Sequence, residues 1–398
     1  MNLTAVQQYS VVTFSYWGFT LTDGALRMLV ILYFHQLGYS PLDVASIFLL
    51  YECCGVVTNL MGGWLATHIG LNKAMQLGLL LQIISLCLLL VNTEQLSIIY
   101  AMCVQALSGI GKDLNKMSAK SSIKMLLPEN AQGKLYQWVA MLTGSKNTLK
   151  GIGFFMGAFL LDLIGFHNTL MSMAIGLGIV FLLNSLLLRE DLGKLKLKAK
   201  VPQLFSHSSA VNYLSAARLF LFGSRDIWFV IALPVFLQEQ LQWSHTQVGS
   251  LLAVWVIAYG ILQSLAPLIT RRHPDGRDAL WWSVLLAIVP LMMVLFMPNS
   301  GYLEIVLITG LFIFGAVFAI NSAVHSYLIV AYAKQQTVAM DVGFYYMANA
   351  LGRLVGTLLS GWVYQSAGLI ACLEVTFIFI VLTSIISIAL PRNAIIKI

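Results

Sequence analysis

Two oppositely charged side chains, Asp23 and Arg27, lie four residues apart in the middle of an apolar segment. The segment runs from about Tyr9 to Gln36 and is long enough to cross a bilayer. A charged residue at the centre of such a helix costs roughly 2.5–3.5 kcal/mol on insertion scales. The spacing places both side chains on one helix face. They form either a pair that neutralises itself and fixes helix packing, or part of a polar site.

Charged side chains recur inside other apolar segments. The acids within these segments are Asp23, Glu52, Asp113, Asp226, Asp341 and Glu374. The bases are Arg27, Lys112, Lys116, Lys146, Lys150, Arg218, Arg225 and Arg353. If all the bases faced lipid, the cost would be roughly 20–28 kcal/mol, more than the stability of a typical fold. Most must therefore face acids, one another or a water-filled cavity, and the excess of bases indicates an anionic ligand.

The composition is that of a polytopic membrane protein. The 398 residues are 59% hydrophobic and 10% charged, against about 25% charged in soluble domains. The net charge of +7 could suggest nucleic acid, but the distribution of basic residues favours membrane loops, and no nucleic-acid partner is expected. The N-terminal residues lack the features of a removable signal peptide. Five cysteines lie in apolar runs without metal-binding spacing, so packed free thiols and no metal or cofactor are expected.

Apolar runs separated by Gly, Pro and polar clusters predict twelve helices. Their spans are 9–36, 42–67, 73–92, 96–123, 134–162, 166–188, 208–240, 245–270, 278–297, 301–332, 336–364 and 368–390. The long basic connection 189–207 is predicted to be a cytoplasmic linker between two six-helix bundles, 1–188 and 208–398.

The basic residues in the connections and at the ends of the helices predict the orientation. Fifteen of the 23 fall in alternate connections and at the C-terminus: Lys73, Lys120, Lys124, Lys134, Arg189, Lys194, Lys196, Lys198, Lys200, Arg271, Arg272, Arg277, Lys334, Arg392 and Lys397. The other connections hold none. Because basic loops stay in the cytosol, both termini are predicted to be cytoplasmic.

The two halves resemble each other at an offset of 203 or 204 residues. Asp23 falls within one residue of Asp226, Ser40 on Ser244, and the segment KGIG at 150–153 on RLVG at 353–356. Residues 63–73, GWLATHIGLNK, resemble the loop motif of major facilitator transporters, with Thr67 and His68 replacing the aspartate and arginine of that motif. These resemblances predict an all-α membrane protein with the major facilitator fold, its two six-helix halves related by a pseudo-twofold axis around a midplane site.

Four lysines recur at four-residue intervals in the fourth predicted helix: Lys112, Lys116, Lys120 and Lys124. Lys120 and Lys124 are expected to extend toward the inner headgroups. Lys112, beside Asp113 and nearer the midplane, is expected to face the cavity. Such a stripe of lysines would draw an anion in from the cytosol.

Several longer segments resemble the ArsJ-type organoarsenical efflux permeases. They are LTDGALRMLV (21–30), ALSGIGKDL (106–114), GSKN (144–147), LSAARLFLFG (214–223) and WVIAYG (255–260). The resemblance implies a bacterial inner-membrane protein that exports 1-arseno-3-phosphoglycerate and confers arsenate resistance. It also implies a functional link to the glyceraldehyde-3-phosphate dehydrogenase that makes this compound from arsenate. The residues alone indicate a multivalent organic anion, because guanidinium forks suit tetrahedral oxyanions.

The candidate site residues fall into three groups. Substrate binding is predicted for Arg27, Lys112, Lys146, Lys150, Arg225 and Arg353. Proton coupling is predicted for one of Asp23, Glu52 and Asp226, with Glu52 favoured because no base lies within one helical turn of it. Secondary candidates are Asp113, Lys116, Arg218, Asn321 and His325. Asn321 and His325 could touch substrate or bond across helices, and Arg218 and Asp341 could gate or anchor a helix end.

Three functions are compatible with these features. The first is efflux of an organic anion by alternating access, driven by proton antiport, in a monomer. The second is an exchanger that swaps an organophosphate for inorganic phosphate, since the same cations would serve it. The third is a membrane-embedded sensor. No nucleophile–base pair, metal constellation or nucleotide loop predicts an enzyme.

The predicted orientation can be tested by labelling. Single cysteines introduced at Trp243 and Asn299 in a cysteine-free background should react with a membrane-impermeant maleimide added outside the cell. Both positions lie in connections predicted to face away from the cytosol. Reaction only after the inner face is exposed would overturn the topology.

Overall fold

The structure, a computed structural model, describes residues 3–39, 44, 46–128, 131–188, 192, 208–243, 245–297 and 302–392. Nearly all of them are helical. The helices are α1 (Ala5–Gln36), α2 (Leu49–Ile69), α3 (Leu71–Leu88), α4 (Ile98–Leu126), α5 and α6 (together Gln132–Leu187), α7 (Ser209–Glu239), α8 (His245–Ile269), α9 (Gly276–Phe296), α10 (Leu303–Tyr332), and α11 and α12 (together Val338–Ser387). A 3-10 turn, Thr93–Gln95, precedes α4. The prediction of an all-α membrane protein with twelve transmembrane helices is confirmed.

Two of the helical stretches are too long for a single crossing. The stretches Gln132–Leu187 and Val338–Ser387 contain 56 and 50 residues, about 84 and 75 Å if straight at 1.5 Å per residue. The hydrocarbon core is only about 30 Å thick. Each stretch is interrupted by one non-helical glycine, Gly165 and Gly368, both with φ of 78°. A φ in this range favours glycine, which has no Cβ to clash with the carbonyl group.

Contacts with α1 show that the chain reverses at Gly165. Residue numbers rise in the same direction on α1 and α5 along their contact. A Cβ on Gly153 would lie 2.6 Å from the Leu21 carbonyl oxygen, and a Cβ on Gly157, one turn later, would strike the Ala25 carbonyl oxygen. The two helices are therefore parallel.

Contacts of α1 with α6 run in the opposite order. The amide Nδ2 of Asn184 donates to Ser15 Oγ at 2.8 Å near the start of α1. Tyr33, near its end, stacks on Phe166 with ring centroids 3.8 Å apart. Helix α6 is therefore antiparallel to α1, and α5 and α6 form a hairpin joined at one residue.

The second half repeats this arrangement 203 residues later. The backbone of Gly356 in α11 packs on Gly223 of α7, where an added Cβ would lie 2.6 Å from the Gly223 carbonyl oxygen. In α12, Thr376 Oγ1 donates to the Ser224 carbonyl oxygen at 2.9 Å. The repeat read from the sequence thus extends to backbone contacts.

The chain packs as two compact units. Unit 1 contains Met1–Ala131, Ser145–Phe205 and Lys334–Met347, and unit 2 contains Gln132–Gly144, Ser206–Ala333 and Ala348–Ile398. Each unit is mostly one half of the sequence, with a short segment from the start of α5 or α11 of the other half. That exchange was not predicted. The predicted linker 189–207 lies outside the described residues apart from Leu192, as do Ser40 and Ser244, so the predicted domain boundaries remain a prediction.

In unit 2, aromatic side chains form the centre of the core. Trp228 of α7 meets Phe314 of α10 edge to face, with ring centroids 5.3 Å apart. Trp255 of α8 donates its indole N–H to the Leu311 carbonyl oxygen at 3.0 Å. The indole of Trp255 is buried with its N–H hydrogen-bonded, which fixes α8 against α10. The contact of Trp228 with Phe314 holds α7 against α10.

The close contact of α7 with α11 predicts that alanine is destabilising at Gly356 but not at Gly361, on the same helix. Gly356→Ala would force the helices apart, and overpacking of this kind costs about 1–3 kcal/mol. Gly361→Ala is a matched control on the same helix, because the nearest heavy atom to its added Cβ is 3.8 Å away. We expect thermal unfolding of the purified protein to show a lower Tm for Gly356→Ala only. Equal melting temperatures would contradict the glycine contact.

Candidate functional site

In unit 1, the side chain of Tyr51 lies at the centre of a group of charged residues. Its hydroxyl donates to Asp23 Oδ1 at 2.8 Å, and the phenol is almost fully buried. The Lys112 ammonium lies 3.7 Å from the ring centroid, and the Arg27 guanidinium carbon lies 5.2 Å from it. Both distances are within the range of cation–π attraction. We call Asp23, Arg27, Tyr51, Glu52 and Lys112 the Tyr51 cluster.

The acid that pairs with Arg27 is Glu52 of α2. Arg27 Nη2 lies 3.4 Å from Glu52 Oε1, and the two side chains are 24% and 30% exposed. Asp23, which is one turn away from Arg27 on α1, instead accepts the Tyr51 hydroxyl. Glu52 has no base within one turn on its own helix, but Arg27 of α1 contacts it. The charges of Asp23, Arg27, Glu52 and Lys112 cancel.

A second ion pair lies further along α4. Lys116 Nζ is 2.6 Å from Asp113 Oδ1, and the Lys116 ammonium also lies 4.2 Å from the ring centroid of Tyr346. Because Asp113 is buried, its carboxylate requires such a partner. Lys116 therefore has a structural role as the counter-ion of Asp113.

The expectation that Lys120 and Lys124 reach toward headgroups is wrong. Lys120 is 2% exposed and donates to the Tyr346 hydroxyl at 2.7 Å, and Lys124 is also buried. The residues 334–347 at the start of α11 belong to unit 1 and bring Tyr346 to this ammonium group. A hydroxyl acceptor makes burial less costly than lipid exposure would be, so Lys120 does not need to extend to the membrane surface.

Lys146 and Lys150 of α5 also belong to unit 1 and are half-buried. The backbone of Lys150 packs against Gly24, where an added Cβ would lie 2.8 Å from the Lys150 carbonyl oxygen. Its ammonium lies 5.8 Å from the ring centroid of Phe154. The neighbouring residue of Lys146, Ser145, accepts the indole N–H of Trp17 at 2.8 Å. Both lysines therefore lie on the α5 segment that packs against α1.

In unit 2, Asp226 joins two guanidinium groups. Its side chain is fully buried, and Oδ1 accepts from Arg225 Nε at 2.6 Å while Oδ2 accepts from Arg353 Nε at 3.2 Å. The Arg225 and Arg353 side chains are 16% and 33% exposed. Arg225 also lies over the ring of Phe222, 4.9 Å from its centroid. We call Arg225, Asp226 and Arg353 the Asp226 cluster; its net charge is +1.

Arg218 is held in a separate group of buried polar side chains. Its Nε donates to Asn349 Oδ1 at 2.9 Å, and its Nη1 donates to Ser322 Oγ at 3.1 Å. The guanidinium carbon lies 3.8 Å from the ring centroid of Phe222, and the same ring also contacts Arg225. Phe222 therefore separates Arg218 from the Asp226 cluster while contacting both cations.

The two secondary candidates of α10 differ in their contacts. Asn321 donates from Nδ2 to Ser283 Oγ of α9 at 2.9 Å, which is the bond across helices that the sequence left as one possibility. His325 is fully buried, and neither ring nitrogen has a hydrogen-bond partner in the described part of the chain. The structure thus gives Asn321 a packing role.

The sequence reasoning missed the aromatic residues around the charges. Tyr51 adjoins Glu52 in the sequence, and Phe222 precedes Asp226 by one helical turn, so both lie close to predicted charged positions. A ring face stabilises a desolvated cation. The sequence feature that could have identified these residues is an aromatic side chain within one helical turn of a charged residue in a membrane helix. Tyr346 had no such local signal, since its partner lysines are on another helix.

Comparisons with known proteins agree with this architecture. The family model described as Major Facilitator Superfamily matches residues 12–233 and 214–394. A bacterial homologue of the iron transporter ferroportin, in an outward-facing state, has a TM-score of 0.78 at 14% identity, covering 96% of this chain and 98% of its own. The human organic anion transporter MFSD10 (TETRAN) has a TM-score of 0.72 at 16% identity, covering 96% and 99%.

A third solved structure, the fucose:proton symporter FucP of E. coli, has a TM-score of 0.75 at 12% identity, covering 97% of this chain and 98% of its own. No curated protein sequence matches this chain. The identities to solved structures are low and show the fold. The family model spans nearly all of the twelve helices, and the chain therefore belongs to the Major Facilitator Superfamily.

Proposed function

We propose that this transporter exports an organic oxyanion from the bacterial cytosol by alternating access. The observation that carries the proposal is the Asp226 cluster, in which one buried carboxylate serves two partly exposed arginines. The remaining positive charge favours an anionic ligand, and two guanidinium groups offer donors in the geometry that phosphate and arsenate oxygens accept.

The lysines of unit 1 support the same ligand chemistry. The charges of the Tyr51 cluster cancel, whereas Lys146 and Lys150 on the neighbouring helix add two positive charges to the unit. Aromatic rings beside Arg27, Lys112 and Lys150 stabilise cations without neutralising them. Lys150 lies outside the neutral Tyr51 cluster, and its positive charge supports an anionic ligand.

The proposed substrate is 1-arseno-3-phosphoglycerate, for which the support is the resemblance to ArsJ-type permeases. This compound carries a phosphate ester at one end and an acyl arsenate at the other, so it presents two tetrahedral oxyanions. Export would confer arsenate resistance together with a glyceraldehyde-3-phosphate dehydrogenase that makes the compound. An organophosphate/phosphate exchanger is the alternative that the same cations would serve, and a membrane-embedded sensor is a weaker one.

Glu52 is the proposed coupling carboxylate among Asp23, Glu52 and Asp226. Asp226 has two arginine partners and no exposed surface, so removing its charge would break two ion pairs at once. Glu52 is 30% exposed and lies 3.4 Å from Arg27. An anion that attracted Arg27 would weaken that contact and favour protonation of Glu52.

Inverted membrane vesicles test the transport reaction. The substrate can be generated outside the vesicles from arsenate, glyceraldehyde 3-phosphate, NAD and the dehydrogenase, and arsenic uptake can be measured with and without an acidic interior. We expect uptake that requires the dehydrogenase and is increased by the acidic interior. Uptake of organophosphate that instead requires internal phosphate would establish the exchanger.

Lys150 and Arg353 occupy equivalent positions in the two halves, and alanine at either position should prevent transport. Loss of a charge-assisted hydrogen bond of about 1.5–3 kcal/mol corresponds to about a 10- to 100-fold loss of affinity. Lys150→Ala and Arg353→Ala should therefore show little uptake at normal abundance in the membrane, and Arg353→Lys should recover only part, because an ammonium group lacks the planar fork.

Arg272→Ala is the control for these variants, since Arg272 is exposed in the connection between α8 and α9 and should transport normally. Substantial oxyanion transport by the Lys150→Ala, Arg353→Ala double variant would refute the binding assignment.

Neutral substitutions should separate coupling from structure. Glu52→Gln should still exchange substrate at equal pH but lose the stimulation by an acidic vesicle interior. Asp226→Asn should lose all transport and unfold at lower temperature, because breaking a buried ion pair costs about 3–5 kcal/mol. Vesicle uptake and thermal unfolding measure the two effects. Stimulation by the gradient that survives neutralisation of all three acids would exclude them as coupling groups.

A further inference from the structure

A cavity of about 330 Å³ lies in unit 2 between the start of α9 and the end of α12. Its lining includes two arginines, Arg277 and Arg392, together with Trp281 and Ile388. None of these residues belongs to the Tyr51 or Asp226 clusters. The cavity is therefore separate from the groups assigned to substrate and coupling.

Backbone contacts give the cavity a fixed wall. The Gly276 amide donates to the Pro391 carbonyl oxygen at 3.0 Å, and the Tyr332 hydroxyl donates to the same oxygen at 3.0 Å. A Cβ on Gly276 would lie 2.6 Å from the Cβ of Leu390. The start of α9 therefore contacts the segment after α12. Arg277 follows Gly276 in the chain and Arg392 follows Pro391, so both arginines lie at the same cavity.

The two arginines have no acid as an ion-pair partner among the described residues. The nearby acids are already engaged: Asp275 Oδ1 accepts the backbone N–H of Arg277, and Asp278 Oδ2 accepts that of Asp275, which closes a capping box. Asp278 also lies 3.6 Å from Arg271. Arg277 and Arg392 are both exposed at the cavity and so present their guanidinium groups to an external anion.

Apolar side chains adjoin the arginines on the outer surface. Trp281 of α9 is 65% exposed, and Ile388, in the turn directly after α12, is 58% exposed, so both place apolar surface beside the arginines. Tryptophan is enriched at the level of the headgroups. Two cations next to exposed apolar surface match a phospholipid, whose phosphate and acyl chains are joined, better than a soluble anion that would contact the arginines alone.

The first half of the sequence carries an equivalent basic pair. Lys73 lies 204 residues before Arg277, and Arg189 lies 203 residues before Arg392. The start of α3 is also tied to the chain after α6, because the Leu71 amide donates to the Leu192 carbonyl oxygen at 2.8 Å. Arg189 is outside the described residues, so the geometry is argued for α9 and α12 alone. The sequence spacing alone recurs, with a basic residue at the equivalent position for each of the two arginines.

We propose that this cavity binds the headgroup of an anionic phospholipid, with Arg277 and Arg392 on the phosphate and Trp281 beside the acyl chains. The predicted orientation places the site in the cytoplasmic leaflet, where basic pockets between helices bind anionic headgroups. The inference is independent of the transported substrate.

Native mass spectrometry of the purified full-length protein tests the site. The protein would be titrated with phosphatidylglycerol or phosphatidylcholine of equal chain length. We expect one phosphatidylglycerol to be retained in preference to phosphatidylcholine. The Arg277→Gln, Arg392→Gln variant should bind it about 30-fold more weakly, given roughly 1 kcal/mol for each basic residue near an anionic headgroup.

The matched control is Arg272→Gln with Lys334→Gln, which removes the same charge from exposed positions in other connections and should retain the lipid. Trp281→Ala should weaken binding of phosphatidylglycerol without changing folding. Equal retention by the arginine variant, or equal loss in the control, would overturn the site. Displacement of the lipid by a large excess of inorganic phosphate would show a site for free anions and overturn the lipid assignment.

Discussion

A charge inside a membrane must be stabilised by protein, and the interior of this transporter is arranged around that requirement. Asp226 shows it most directly: the carboxylate is fully buried, and it is bonded on one oxygen to Arg225 and on the other to Arg353. Where carboxylates are too few, aromatic rings take their place, as Tyr51 does for Lys112. Rings lower the cost of burying a cation but leave its charge intact, which suits the anionic ligand proposed above.

Small residues determine which charges can meet. The bond between Asp226 and Arg353 requires α7 and α11 to approach closely, and Gly223 and Gly356 allow their backbones to touch. Helices α1 and α5 use Gly153 in the same manner. In lipid, association of this kind depends on van der Waals packing between small residues rather than on apolar burial. Gly223 and Gly356 thus also fix the geometry of the ion pair between α7 and α11.

The sequence predicted most of the fold, because a membrane span needs about 20 apolar residues and such runs are visible locally. The junction at Gly165 falls in the predicted gap 163–165, and Gly368 is the first residue of the predicted helix 368–390. The partners of the charges were much less predictable. Four-residue spacing suggested Asp23 for Arg27, whereas Glu52 of another helix is the acid that contacts it. Lys120 was expected at the membrane surface and is buried against Tyr346. Spacing describes one helix face, but partner choice depends on the approach of separate helices.

The single-residue junctions at Gly165 and Gly368 have a consequence for how the protein enters the membrane during synthesis. With no loop between them, α5 and α6 must insert together as one hairpin, and so must α11 and α12. In the first hairpin, α5 carries Lys146 and Lys150, and in the second, α11 carries Arg353. Their partners, α6 and α12, contain no lysine or arginine. The apolar partner offsets the insertion cost of the cations, about 2.5–3.5 kcal/mol for each at the helix centre. Helices too polar to partition into lipid alone are thereby carried in by their neighbours.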